Sequence, residues 1–138
     1  AIIQTYNPDD VYIQTAAALN TKKFYNVSLA QRQELTYPPF SRIGRILFTG
    51  KNKLIVNNFA QMVGRKLHGN VNYKILGPAP APLEKIKGNW RAHLIIKSKN
   101  RNISSLHQFI HSTIGFIIFE RKWRGVRIQI DVDPVSML

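Results

Sequence analysis

The chain has 138 residues, 44% of them hydrophobic, and its 20 Lys and Arg outnumber 7 Asp and Glu, which gives a formal net charge of +13. This length suits one compact domain with a short additional segment, and the lack of cysteine excludes disulfides, thiolate nucleophiles and cysteine-ligated metal sites. The charge imbalance favours a polyanionic partner: nucleic acid first, an acidic protein tail second and an anionic membrane surface a distant third.

The first third of the chain predicts a strand end followed by two helices. Residues 2–5 have the composition of a strand entered midway, and no initiator Met precedes them, so we expect a piece of a longer protein. Asn7-Pro8-Asp9-Asp10 is typical of a helix start, with a capping Asn, a Pro and acidic residues at the positive end of the helix dipole. The first helix is expected to reach about Leu19, and the second to span about 22–35. Tyr37-Pro38-Pro39-Phe40 cannot continue a helix, so we divide the chain into residues 1–36 and 37–138.

The remainder predicts two successive strand–helix–strand units. Strands are expected at residues 42–49, 73–76, 91–97 and 126–132, the last from its alternation of apolar and polar residues. The first helix is expected at residues 53–68, with an apolar stripe made of Val56, Phe59, Ala60, Val63 and Leu67. The second helix, which Asn102 can cap, has a broad apolar face made of Ile103, Leu106, Phe109, Ile110, Ile114, Ile117 and Ile118. Gly77–Pro82 is expected to be a rigid connector that opens a long loop to Trp90. This order predicts an α+β fold of the split βαβ, ferredoxin-like type.

Motifs for catalysis or metal binding are incomplete. Residues 64–71 have the two-glycine spacing of a phosphate-binding loop but lack its Lys and its Ser or Thr, so we interpret them as a helix end. His107 and His111 have the spacing of a zinc-ligand pair without the Glu base or a third ligand. Asp131 and Asp133 are expected to cap the strand end or to pair with Arg or backbone N–H groups rather than to hold a metal. The sequence therefore predicts no catalysis and no metal.

Basic residues around an aromatic side chain favour nucleic acid. Lys85, Lys87 and Arg91 place cations around the indole of Trp90, which suits phosphate contacts together with base stacking. Trp90 could instead pack in the core, and Tyr37 is a second candidate for stacking. Further charge lies at strand and helix ends, including residues 121–124, almost without compensating acids. The candidate DNA-binding residues are Arg42, Arg45, Lys85, Lys87, Trp90, Arg91, Lys97 and Lys99.

The sequence does not contain the signature of an RNA-recognition motif, because no alternating aromatic residues follow Lys87-Gly88.

Five short segments together resemble a known family. They are Ile3-Gln4-Thr5-Tyr6-Asn7-Pro8, Tyr37-Pro38-Pro39-Phe40, Leu76-Gly77-Pro78-Ala79-Pro80, Gly88-Asn89-Trp90-Arg91 leading to Leu94-Ile95-Ile96-Lys97, and Ile130-Asp131-Val132-Asp133-Pro134. In this order and spacing they resemble the C-terminal region of the primosomal protein N′ (PriA) family of bacterial replication-restart DNA helicases. The resemblance implies that residues 1–36 are the end of the second helicase lobe and a helical connector. Residues 37–138 would be the C-terminal DNA-binding domain, similar in fold to a small-subunit ribosomal protein.

The same resemblance implies a module that binds without catalysing. The family's ATP-dependent 3′-to-5′ helicase activity, with its ATP, magnesium and zinc sites, belongs to upstream parts of the parent protein, so no cofactor is expected in this chain. The implied partners are forked and single-stranded DNA, single-stranded DNA-binding protein (SSB), other primosome proteins and the helicase core in cis. The implied location is the bacterial cytoplasm, without a membrane partner.

The resemblance also implies a protein-docking role. Arg101 stands where the family places a basic residue for the acidic C-terminal tail of SSB, and Ser105 stands where family members can carry a glutamine. A docking module is therefore the alternative to a DNA-binding module. The two differ in salt dependence, because many phosphate contacts give a steep slope and one tail pocket a shallow one. A ribosome-type RNA binder is a third hypothesis, suggested by fold and charge.

Overall fold

The structure, a computed structural model, describes residues 2–115, 117 and 123–134. The chain divides into two compact units, residues 1–36 and 37–138. Among the helices of the described residues, none has both the length and the apolar character needed to cross a membrane.

The first unit contains two helices, α1 (Val11–Ala17) and α2 (Thr21–Glu34). The prediction that α1 begins at Asn7-Pro8 is wrong, because Asp10 is its cap: Asp10 Oδ1 accepts hydrogen bonds from the backbone N–H groups of Tyr12 at 2.8 Å and Ile13 at 3.2 Å. α1 also ends before Leu19, whose positive φ of 52° a right-handed helix cannot include.

The strand predicted for residues 2–5 is wrong as well, since these residues have no regular secondary structure. A strand is stable only when a neighbouring strand takes its backbone hydrogen bonds. α2 is close to its predicted span because its cap is local: Asn20 Oδ1 accepts a hydrogen bond from the Lys23 N–H at 3.0 Å.

The described residues of the second unit form one four-stranded sheet and two α-helices. Its elements are β1 (Arg42–Gly50), α3 (Lys53–Leu67), β2 (Tyr73–Ile86), β3 (Asn89–Ser98), α4 (Ile103–Ile114) and β4 (Val126–Val132). The strand order is β2-β3-β1-β4, with every neighbouring pair antiparallel. Each helix thus joins two strands that are separated by a third, which is the split βαβ arrangement. The predicted α+β fold is confirmed.

Both helices bury their apolar stripes against one face of the sheet. The α3 stripe predicted from the sequence is confirmed and consists of Val56, Phe59, Ala60, Val63 and Leu67. It packs with α4 on β1 and β3 residues such as Ile46, Phe48, Leu94 and Ile96. Each such fully buried side chain stabilises the fold by about 1.5–3 kcal/mol through removal from water.

The Pro-Ala segment predicted as a connector is instead part of β2. The strand pairs with β3 at Ala79 opposite His93 and at Pro80 opposite Ala92, and register shifts on either side absorb the irregularity. β2 lies at the edge of the sheet, where prolines without an N–H group are tolerated. The predicted long loop is therefore a β-hairpin. Its two turn residues, Lys87 and Gly88, have φ values of 46° and 77°, as a type I′ turn requires.

α4 ends earlier than its apolar pattern predicts. The helix stops at Ile114, where Gly115, a weak helix former, donates its N–H to the His111 carbonyl at 2.8 Å. Ile117 is buried beyond the helix, and Ile118 lies outside the described residues, as do residues 121 and 122 of the predicted basic cluster. Ile103, also predicted on the buried face, is 43% exposed because it stands in the first turn.

Candidate nucleic-acid interface

The predicted DNA-binding residues fall into two groups at opposite ends of β3. Lys85, Lys87, Trp90 and Arg91 lie at its beginning, around the hairpin, whereas Lys97 and Lys99 lie at and beyond its end. At about 3.3 Å per residue, Trp90 and Lys97 are separated by about 23 Å along the strand. We predicted these residues as one DNA-binding set, but the structure places them in two separate groups at the two ends of β3.

The hairpin cluster consists of Lys53, Glu84, Lys85, Lys87 and Trp90. The Nζ atoms of Lys53 and Lys85 lie 4.5 Å and 4.7 Å from the centre of the Trp90 ring. Lys53 also forms an ion pair with Glu84, 2.7 Å between Nζ and Oε1. All three lysines are exposed, while Trp90 is half-buried. Cation–π attraction of this kind stabilises an exposed pair by about 0.5–1 kcal/mol.

Some residues of the hairpin cluster are close to Trp90 in the sequence, whereas Lys53 is brought to it only by the tertiary structure. Lys85 lies opposite Trp90 in the β2–β3 register, and Lys87 occupies the turn. Lys53 is the first residue of α3, far from Trp90 in the sequence. Sequence reasoning missed it because no motif links the two positions.

Arg91 lies on the other side of β3 from Trp90 and fixes the hairpin. Its Nη1 donates a hydrogen bond to the Leu83 carbonyl at 3.1 Å, across the hairpin. The side chain is half-buried, so part of its donor capacity serves the fold.

The Arg101 cluster, at the far end of β3, consists of Tyr37, Phe40, Arg42, Lys97, Lys99, Arg101 and Asp133. Lys97 Nζ lies 3.8 Å from the centre of the Tyr37 ring, and the Arg101 guanidinium lies 6.0 Å from that of Phe40. Arg101 and Lys99 are exposed. Ser105 is half-buried in α4, and its carbonyl accepts a hydrogen bond from the Tyr73 hydroxyl at 3.1 Å.

Asp133 neutralises Arg42 within the Arg101 cluster. Arg42 Nη1 lies 2.6 Å from Asp133 Oδ2, and Arg42 Nε donates to the Arg101 carbonyl at 2.9 Å. Asp133 Oδ1 also accepts the Ile43 N–H at 3.0 Å. Asp131 Oδ2 lies 3.5 Å from Arg45 Nη2. The prediction that these two carboxylates pair with Arg or backbone N–H groups is confirmed.

Arg45 is buried, with only 6% of its surface exposed. It lies on the sheet face that points away from α3 and α4, opposite Ile95 in β3 and Asp131 in β4. Since a phosphate contact needs an accessible guanidinium, we leave Arg45 out of the proposed DNA-binding surface.

His93 lies on the same sheet face and was missed by sequence reasoning. Burial, followed by the positive charges of Arg45 and Arg91, lowers the pKa of His93 below its ordinary value of 6.5. Within the described residues, its buried Nδ1 has no hydrogen-bond partner. The sequence contained one indication of this position: His93 is spaced from Arg91 and Lys97 by even numbers of residues in the predicted strand, which places all three on one face of the sheet.

Within the described residues, no three His, Cys, Asp or Glu side chains come together as metal ligands would. The rings of His107 and His111 are stacked at 5.9 Å, and both residues are exposed.

Comparison with known proteins gives consistent matches. The family described as primosomal protein N C-terminal domain matches residues 33–135. Proteins named replication restart protein PriA are similar to the chain: that of Thermotoga maritima is 34% identical over 72% of this chain and 13% of its own length. Those of Borreliella burgdorferi and Bacillus subtilis are 31% and 28% identical, each over 99% of this chain, covering 20% and 17% of their own lengths. The chain thus spans a fifth or less of these relatives.

Proposed function

Since this chain belongs to the family of primosomal protein N C-terminal domains, we propose that it is the non-catalytic DNA-binding module of a replication-restart helicase. The chain is a C-terminal domain of a replication restart protein and not the helicase core. In this proposal residues 1–36 are the end of the second helicase lobe and its connector. ATP, magnesium and zinc are bound by other parts of the parent protein.

The hairpin cluster is the observation that carries the proposal. It places two exposed lysines, Lys53 and Lys85, over one indole and a third exposed lysine, Lys87, in the adjoining turn, with Glu84 as its single acid. Ammonium groups at a hairpin tip contact phosphates without reading base edges, which suits a protein that recognises branched or single-stranded DNA by shape.

Trp90 orients lysines in this proposal rather than stacking on a base. Two ammonium groups already lie over its ring, so a base would have to displace one of them. Fluorescence of Trp90 tests this, since the chain's other tryptophan, Trp123, is only 8% exposed. We expect a small change when oligo(dT) binds, whereas strong quenching would indicate base stacking.

Fluorescence anisotropy with labelled single-stranded, duplex and forked DNA at two salt concentrations tests the function as a whole. We expect dissociation constants of about micromolar or below at low salt, rising steeply with salt as counterions are released. RNA of the same sequence serves as a comparison, because tighter binding to RNA would favour the ribosome-type alternative. No binding to any DNA at low salt would contradict the proposal.

A second candidate function is capture of the acidic C-terminal tail of SSB by the Arg101 cluster. The observation in its favour is the pairing of cations with aromatic rings, Arg101 with Phe40 and Lys97 with Tyr37. Such pairs offer an acidic peptide both charge and apolar surface. We expect a labelled tail peptide to bind with a shallow salt slope and without competition from oligo(dT). A slope as steep as that for DNA would contradict this assignment.

A further inference from the structure

A cleft beside the hairpin cluster carries an additional site. We propose that it binds one nucleotide unit of the DNA strand, with the phosphate held by Lys51, Arg124 and Arg127. The inference rests on the proposed DNA-binding function and adds residues outside the hairpin cluster. The cleft has a volume of about 420 Å³, and we call it the Arg127 cleft.

The Arg127 cleft lies where β1 ends and β4 begins. Gly50 at the end of β1 pairs with Trp90 in β3 and with Val126 in β4, so the cleft and the hairpin cluster share one end of the sheet. A Cβ atom at Gly50 would lie 2.8 Å from the Gly125 carbonyl oxygen and 2.9 Å from Val56 Cγ2. Glycine at this position therefore allows the two turns to approach and form the cleft.

Three cations line the cleft without a compensating acid among the described residues. Lys51, Arg124 and Arg127 are all exposed, and none of the ion pairs found in the described part of the chain involves them. Three positive charges around one concave surface repel each other, so the cleft gains from an anion that neutralises them.

Two asparagines on the cleft wall are held in place by backbone contacts. Asn52 Oδ1 accepts the Ile55 N–H at 3.2 Å, and Asn89 Nδ2 donates to the Lys87 carbonyl at 3.2 Å. The remaining amide groups, Nδ2 of Asn52 and Oδ1 of Asn89, leave a donor and an acceptor for a sugar or base. Preorganised amides of this kind lose little side-chain entropy when a ligand binds.

Volume and position together indicate a nucleotide in a strand. A cleft of this volume lies in the range of small-ligand sites and exceeds what a lone phosphate fills. Asn89 belongs to the cleft wall and also adjoins the hairpin turn through Lys87. A strand in contact with Lys85 and Lys87 therefore continues directly into the Arg127 cleft.

Amide NMR of the full chain separates this site from the hairpin cluster. Gly50 and Gly125 report on the cleft, and Lys87 and Gly88 report on the hairpin. With oligo(dT) we expect shifts in both pairs of signals, and with dTMP or inorganic phosphate weaker shifts in the cleft pair alone. Shifts in the hairpin pair without the cleft pair would overturn the cleft assignment and leave the proposed function standing. No shift at either pair would overturn both.

A charge-matched pair of triple variants provides the second test. K51Q/R124Q/R127Q removes the cleft cations, and R65Q/K66Q/K74Q removes three exposed cations elsewhere, so both variants lose the same net charge. We expect the cleft variant to bind oligo(dT) about tenfold more weakly and to lower the salt slope by about two, at about 0.7 per lost contact with a single strand. Equal effects of the two variants at unchanged thermal midpoints would overturn the inference.

Discussion

The two ends of β3 present similar residues to very different effect. At the hairpin end, Lys53 and Lys85 lie over Trp90, Lys87 occupies the adjoining turn, and Glu84 pairs with Lys53. At the far end, Asp133 neutralises Arg42, and aromatic rings hold Lys97 and Arg101. Both ends contain an ion pair and cations that lie over aromatic rings. They differ in exposure, because the three hairpin lysines are exposed whereas Arg42 and Lys97 at the far end are half-buried.

In the proposed function, this difference separates two kinds of ligand on one domain. Exposed lysines at a hairpin suit a phosphate backbone, which is bound through many weak charge contacts. The exposed Arg101 beside the apolar ring of Phe40 suits an acidic peptide, which needs fewer charges and some apolar surface. In the function proposed above, the hairpin end binds DNA and the far end binds an acidic protein tail.

Reversing the charges of Lys85 and Lys87 in the hairpin cluster should have the largest effect of the variants that test the two ends of β3. For Lys85→Glu/Lys87→Glu we expect DNA affinity at low salt to fall on the order of a hundredfold, because contacts are lost and repulsion is added. Anisotropy measures it, and Lys22→Glu/Lys23→Glu in α2 is the charge-matched control. Unchanged affinity would show that the hairpin cluster is not the DNA-binding site. Lys85→Gln/Lys87→Asn tests the same contacts without reversal, since Asn suits the positive φ of the turn.

Breaking the Arg42–Asp133 pair tests the structural role of the far end. For Asp133→Asn we expect a loss of about 1–2 kcal/mol in the free energy of unfolding, because a charge-assisted hydrogen bond in a half-buried site is removed. Asn tolerates the positive φ of 49° at this position, so backbone strain does not contribute. Chemical denaturation measures the loss.

Glu84→Gln is the control for that variant. Both side chains of the Lys53–Glu84 pair are more exposed, 50% and 41% against 34% and 23% for Arg42 and Asp133, so we expect a smaller loss. Equal losses would show that the Asp133 pair has no special structural role.

Charge reversal at Arg101 tests the second ligand. For Arg101→Glu we expect an acidic SSB-tail peptide to bind about fivefold more weakly, in line with the loss of an exposed charge contact, while DNA affinity changes less. The side-chain change leaves the Arg101 carbonyl, which Arg42 contacts, in place. Lys99→Glu is the control, because it reverses one exposed charge in the same cluster and leaves the contact between Arg101 and Phe40 in place. A larger effect on DNA than on the peptide would contradict the division of the two ends.

The smallest expected effect is a pH dependence from His93. The pKa of His93 is lowered in the folded chain, so below about pH 6.5 the unfolded chain takes up a proton that the folded chain does not. Stability should therefore fall as the pH falls through that range and be fully retained above it. In His93→Gln, we expect a smaller difference between the thermal midpoints at about pH 7.5 and about pH 5.5 than in the unmodified chain. His107→Gln is the control: its ring is exposed, so we expect the difference to be unchanged. An unchanged pH dependence in His93→Gln would contradict the assignment.

Much of the fold follows from local sequence. The apolar stripe of α3, the alternation in β4 and the cap at Asn102 depend on residues a few positions apart, and each is present in the structure. Short-range periodicity is sufficient for them, because it decides which side of an element is apolar. The pairing of Asp131 and Asp133 with arginines was also predictable from their place at a strand end.

Other features depend on the sheet as a whole. Only the edge position of β2 allows its prolines to lie in a strand, and only the β1–β3–β4 register buries Arg45 beside Asp131. Composition and local pattern by themselves determined a basic α+β domain, and the resemblance of five short segments indicated its family. Tertiary structure decided which cations are neutralised and which converge, as Lys53 does on Trp90, because charges interact through space and not along the chain.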